Sequence, residues 1–175
     1  MIREFNNMTP RLGEGVYIDE QSAVIGDVVI GDDSSVWPFT SIRGDVNKIR
    51  IGRRTNIQDN STIHVTHASD QQPGGVPAII GDDVTVGHQV ILHACTIGDR
   101  CLIGMGSIIM DRAVIAANTI IGAGSLVTQD KQLEGGYLYV GRPAKRLRAL
   151  NDEEKDYLTY SSAHYVRLKE QYLPK

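Results

Sequence analysis

Four of the five histidines, His64, His67, His88 and His93, fall within thirty consecutive residues. Neutral imidazole is a common metal ligand near physiological pH. Catalytic zinc takes three protein ligands and keeps a fourth position open for water or substrate. Clustered histidines therefore point to metal-assisted chemistry, provided the fold brings three rings together. A lone histidine is more often a surface residue, and His164 reads as one.

The surrounding text supplies the positioning. Aliphatic residues recur every six positions: Ile18, Val24, Ile30, Val36 and Ile42; Ile51, Ile57 and Ile63; Ile80, Val86 and Leu92; then Ile97 through Val127. A period of six fits neither a helix nor a hairpin. It fits a hexapeptide parallel β-helix, an all-β solenoid whose repeats bury their apolar faces only by stacking. Three repeats make one triangular coil, and neighbouring coils pair at about 4.8 Å. Small residues four places on, such as Ser22, Ser34, Thr55, Ser61 and Cys101, suit the corners.

Two breaks in phase are informative. The step from Ile42 to Ile51 is nine, which places an excursion at Asp45 to Arg50. The step from Ile63 to Ile80 is seventeen, about eleven more than a repeat, and its turn-rich text predicts a loop over 65–79. With that loop set aside, Leu92 lies one coil beyond Ile63. His64 and His93 then share a phase and stack on adjacent coils. His88 follows Val86 by two and belongs to the preceding face, so it points away from the other two within its own chain. In a three-fold oligomer a neighbouring copy can return that face to the His64/His93 edge. His67 lies off the His93 phase, which favours a shuttling or supporting role over ligation.

The ends lie outside the beat. Residues 1–15 read as a cap, the β-helix as 16–128, 129–150 as a connector and 151–173 as a C-terminal helix packed along the prism. Asn151 and Glu154 have the spacing of a capping box. The chain reads as one domain of 175 residues with a net charge of −3, which gives no electrostatic case for nucleic acid. No segment has the length and apolarity of a membrane span. Cys95 and Cys101 form no C-x-x-C motif, and the expected compartment is the cytoplasm.

Arg43-Gly44-Asp45, Asn56-Ile57-Gln58-Asp59-Asn60, Ile63-His64 and Gly87-His88 through His93 resemble the γ-class carbonic anhydrase family. The similarity is closest to its short bacterial and archaeal branch. The resemblance implies a left-handed parallel β-helix and a homotrimer with zinc between subunits. It also implies reversible hydration of carbon dioxide to bicarbonate. Matched motif by motif, the metal ligands fall on His64, His88 and His93, with iron or cobalt as alternatives to zinc. Arg43 and Asp45 match a salt bridge across the trimer interface. Gln58 and Asn56 match residues that orient the nucleophilic water, Asp59 belongs to the same network, and Tyr165 resembles a helix tyrosine near the metal. Val46 departs from a family glutamate. His67 stands where the family carries a proton-shuttling glutamate, and imidazole can do that work. Two other readings stay open. One is a hexapeptide acyltransferase using acyl-CoA; the other is a metal-binding trimer without turnover, which Val46 and His67 would favour.

Overall fold

The computed structural model describes residues 1–173. It is a parallel β-solenoid with one C-terminal helix, the architecture of a left-handed β-helix. Short strands stack in register along three faces. On one face Tyr17–Ile18, Ser35–Val36, Asn56–Ile57, Thr85–Val86, Leu102–Ile103, Ile120–Ile121 and Tyr137–Gly141 pair in that order. The other two faces are joined into one sheet by the long strands Ala23–Ile30 and Ser41–Ile51, which run around a corner.

The aliphatic beat lines the interior. Ile42, Ile57, Ile63, Leu92, Ile103, Ile109, Ile115 and Ile121 are fully buried. The corner residues four places on are buried too, and their hydroxyls join the coils. Ser22 Oγ donates to Trp37 O (2.7 Å), Ser34 Oγ to Gly52 O (2.8 Å) and Ser61 Oγ to Gly87 O (3.0 Å). Each such bond contributes about 1 kcal/mol net. Glycine follows the aliphatic residue where backbones crowd: a Cβ on Gly52 would lie 2.5 Å from Gly81 C.

Most corners also carry a rule hidden from composition. The residue three places after the inward aliphatic adopts a left-handed backbone. Asp33, Phe39, Arg54, Asn60, Asp83, Gln89, Arg100, Arg112, Asn118 and Asp130 have φ between 52° and 63°. Residues other than glycine enter this region at a cost, which the inter-coil hydrogen bonds and interior packing offset.

Several boundaries differ from the sequence reading. The excursion after Ile42 is a bulge inside one strand: Gly26 pairs with Gly44 and Val28 with Ile49, leaving Asp45–Lys48 looped out. The large loop ends earlier than expected, because Ala78–Ile80 is already a strand on Thr96–Ile97. The beat does not stop at Val127. Gln132–Leu133 and Tyr137–Gly141 pair parallel with Val114–Ile115 and Ile120–Ile121, so Leu133 and Tyr139 take the next two interior positions. The aromatic Tyr139 hid that last repeat from an aliphatic pattern. Ala144–Ala149 then folds back antiparallel on Tyr137–Gly141 and covers the open edge. Residues 1–15 contribute Ile2–Arg3 and Arg11–Leu12, both paired with Ala23–Ile30.

Helix α1 (Asp152–Lys169) ends four residues before the expected 173. Its capping box forms: Asn151 Oδ1 accepts from Glu154 N (2.8 Å), and Glu154 Oε2 accepts from Asn151 N (3.0 Å). The helix lies on the face containing Asn56–Ile57 and Thr85–Val86. Leu158, Ser161 and Ser162 are buried against it, and Tyr165 packs edge-on to Trp37 with centroids 5.6 Å apart. Lys169 is buried and paired with Asp33 (2.9 Å). No helix among the described residues is long and apolar enough to cross a membrane.

Cys95 and Cys101 are free and buried. Burial pushes both thiols up to about 12. At pH 8 such a thiol is ionised to roughly one part in 10⁴, and the thiolate is the reactive form. A thiol-exchange reagent should therefore modify neither cysteine in the folded protein and both after denaturation. Rapid reaction of either thiol in the native state would contradict this packing.

Candidate metal centre

His64 and His93 end the paired strands Thr62–His64 and Ile91–His93 and stand in register with each other. Inward Ile63 and Leu92 fix the strands, so the residues after them project outward one above the other. His64 Nδ1 and His93 Nε2 face each other at 3.3 Å. The outer nitrogen of each ring is held by a carboxylate. His64 Nε2 meets Asp45 Oδ1 (3.0 Å), and His93 Nδ1 meets Asp111 Oδ1 (2.7 Å). A carboxylate accepts a proton-bearing N–H, so in the neutral tautomers that satisfy both carboxylates the facing nitrogens present lone pairs. Two lone pairs converge only on a shared cation or proton. Ligands about 2.0–2.1 Å from one tetrahedral zinc lie about 3.3–3.4 Å apart, and the observed separation fits that geometry.

Both carboxylates are held ionised. Burial raises Asp45, but hydrogen bonds from Arg43 and His64 more than reverse it and leave the carboxyl below its ordinary value. Burial raises Asp111 as well, and hydrogen bonds from Thr66 and His93 bring it below the usual range.

His88 lies elsewhere, beside the strand Thr85–Val86 on the helix-covered face, with Nδ1 against Asp59 Oδ2 (2.9 Å). That leaves Nε2 free to ligate. Among the described residues no three histidine, cysteine, aspartate or glutamate side chains converge within one chain to hold a metal. His88 lines a cleft of roughly 420 Å³ between α1 and this face, with Gln58, Gly87, Gly104, Met105, Tyr157 and Tyr165.

Gln58 is fixed from behind. Ser161 Oγ contacts Thr85 Oγ1 (2.9 Å), Asn56 Nδ2 donates to Thr85 Oγ1 (3.0 Å), and Gln58 Nε2 donates to Asn56 Oδ1 (3.1 Å). The Gln58 carbonyl is left for the cleft. Asn56, expected to orient water, spends its amide on Thr85 and Gln58 and is absent from the cleft wall. Tyr165 lines the wall; burial, then the charge of Asp59, raises its phenol, which stays neutral near neutral pH. His67 is exposed on the loop. Val46 is exposed in the bulge. Arg43 and Asp45, expected to pair between subunits, form an ion pair within the chain. Residues two apart on a strand share one side, which brings them together.

Sequence reasoning missed Asp111, Thr66, Thr85 and Ser161. Asp111 escaped the counting because the coil after Leu92 is one residue short: Leu92 pairs with Ile109, which puts Asp111 one place past the His93 register. Thr85 and Ser161 had no signal, because neither a hydroxyl on a solenoid face nor one on a helix announces the pairing between them.

The bacterial transferase hexapeptide family (six repeats) matches residues 9–44, 77–109 and 94–129. Protein YrdA of Escherichia coli K12 is 54% identical over 173 residues, covering 99% of this chain and 94% of its own. A carbonic anhydrase of Geobacillus kaustophilus is 44% identical over 154 residues, covering 88% and 81%. The crystal structure of a hexapeptide transferase family protein from Anaplasma phagocytophilum superposes with a TM-score of 0.92 at 42% identity, covering 99% and 98%.

Proposed function

The chain belongs to the γ-class carbonic anhydrase-like branch of the hexapeptide-repeat family, and from that membership we propose that it catalyses reversible hydration of carbon dioxide to bicarbonate. The site would hold zinc between subunits of a homotrimer, through His64 and His93 of one copy and His88 of the next. The observation that carries this reading is the convergence of His64 Nδ1 and His93 Nε2 at 3.3 Å, each ring braced by its own carboxylate. Zinc bound there would supply the Lewis acidity that lets water ionise near neutral pH.

The chain's own residues do the rest. Gln58 offers its carbonyl oxygen to the O–H of the nucleophile, because its amide is committed to Asn56. That directs a lone pair of the nucleophile toward carbon dioxide. Asp59 and Asp111 keep His88 and His93 in the orientation that frees Nε2. Leu102, Ile103, Ile120 and the glycines supply an apolar cleft suited to an uncharged, linear gas. His67, exposed on its loop, carries the released proton to buffer.

A transferase of this fold needs one histidine as general base. It would leave the paired His64 and His93, with their two carboxylates, without a purpose. Stopped-flow hydration with a pH indicator, on protein loaded with zinc, cobalt or iron, tests the proposal. Turnover that scales with bound metal and is lost on chelation is expected. Stoichiometric metal without turnover would instead support the non-catalytic trimer, and absence of metal would sink the site.

His67→Ala should lower kcat about 10- to 100-fold in weak buffer. Added imidazole should restore the rate, and KM should stay near the parent value. An unchanged kcat in weak buffer would remove His67 from the proton path.

A further inference from the structure

We propose that Asp111 is a positioning residue with two grips: it orients His93 toward His64 and latches the 65–77 loop onto that ligand through Thr66. The proposal rests on the reading of His64 and His93 as ligands. One carboxylate oxygen receives His93 Nδ1 at 2.7 Å, and the other accepts from Thr66 Oγ1. Thr66 is the residue at which the loop leaves the solenoid, and its backbone bridges to Val76 on the returning arm (3.0 and 2.9 Å). Asn47, in the bulge two residues after Asp45, donates to Thr66 O (3.2 Å) and Gly74 O (2.9 Å). Arg112, the neighbour of Asp111, donates to Gln72 Oε1 near the loop tip (3.4 Å).

These contacts make a closed circuit. Asp45 braces His64, Asn47 in the same bulge braces the loop, and the loop is tied by Thr66 to the residue that braces His93. Lifting the loop breaks the Thr66 bond to Asp111 and releases one grip on the ligand's brace. Because the loop also carries His67, proton exit and ligand orientation share one mechanical element. A carboxylate suits this place because its two oxygens accept from two donors at once. Alanine supplies neither. Asparagine keeps an acceptor for His93 and can donate to Thr66, so it preserves the geometry while removing the charge.

The test uses the full-length metal-free protein with ¹⁵N-labelled histidine, together with cobalt titration followed by absorbance. In the parent protein His93 should carry its proton on Nδ1. Asp111→Ala should move the proton toward Nε2 and weaken cobalt binding about 10- to 100-fold. Asp111→Asn should keep the parental proton position and lie between the two in affinity. Thr66→Val should speed amide exchange at Val76 about tenfold and weaken cobalt binding by a smaller factor. Parental His93 shifts and parental cobalt affinity in Asp111→Ala would overturn the orienting role. Faster loop exchange in Thr66→Val with no change in cobalt affinity would overturn the coupling. If the parent protein takes up no cobalt, the metal reading fails separately, and the His93 shifts of Asp111→Ala still decide the role of Asp111.

Discussion

Replacing His93 with alanine should reduce bound metal from about one ion per chain to near zero after dialysis, and metal-dependent hydration should vanish with it. The His93 Nε2 atom faces His64 Nδ1, so loss of the ring leaves two imidazoles, one of them expected from another copy. It also leaves Thr66 as the remaining side-chain donor to Asp111. The fold should survive, because His93 projects outward and Leu92 beneath it does the packing. Unfolding free energy should therefore change by about 1 kcal/mol or less. His164→Ala is the matched control: that ring is exposed on α1, stacked on Tyr160, and should leave metal content unchanged. Metal analysis of the three proteins, with urea unfolding alongside, checks the prediction. Full metal content in His93→Ala would remove this ring from the site.

Ile115→Ala should destabilise the chain by about 2–5 kcal/mol. Ile115 is fully buried and stacks between Ile97 and Leu133 on a face remote from the cleft. A coil contacts only its neighbours, so a cavity there weakens two inter-coil interfaces at once. Val114→Ala, on the outer side of the same two-residue strand, should cost less than about 1 kcal/mol. Denaturant midpoints at one protein concentration measure both. Equal losses at the two positions would mean that the inward assignment is wrong.

The contrast between those neighbours shows what the sequence makes legible. An interior position accepts little but an aliphatic side chain, so the beat announces the prism and, by counting, the stacking of His64 on His93. The same counting isolates His88. Tyr139 escaped because an aromatic ring can also fill the last interior place, where the following hairpin tolerates its size. The left-handed corners escaped because backbone conformation there is imposed by the coil: Arg54, Phe39 and Gln89 carry no local preference for it. Asn56 was assigned by resemblance to the nucleophile, and its side chain is hydrogen-bonded to Thr85 and Gln58, with Ser161 of α1 behind Thr85. Contacts between a solenoid face and a helix about seventy-six residues away in sequence have no periodic signature.

The central claim is that one site draws on two copies of the chain, and subunit mixing tests it most directly. His88→Ala and His93→Ala should each be inactive and metal-free alone. Unfolded together in equal amounts and refolded, they should form mixed trimers. A site is complete wherever an edge from a His88→Ala copy meets His88 of a His93→Ala copy, which is about one quarter of sites at random mixing. Recovery of about a quarter of the parental metal content and hydration rate is the predicted result. No recovery, from mixtures shown to contain mixed trimers, would mean that each chain builds its site alone.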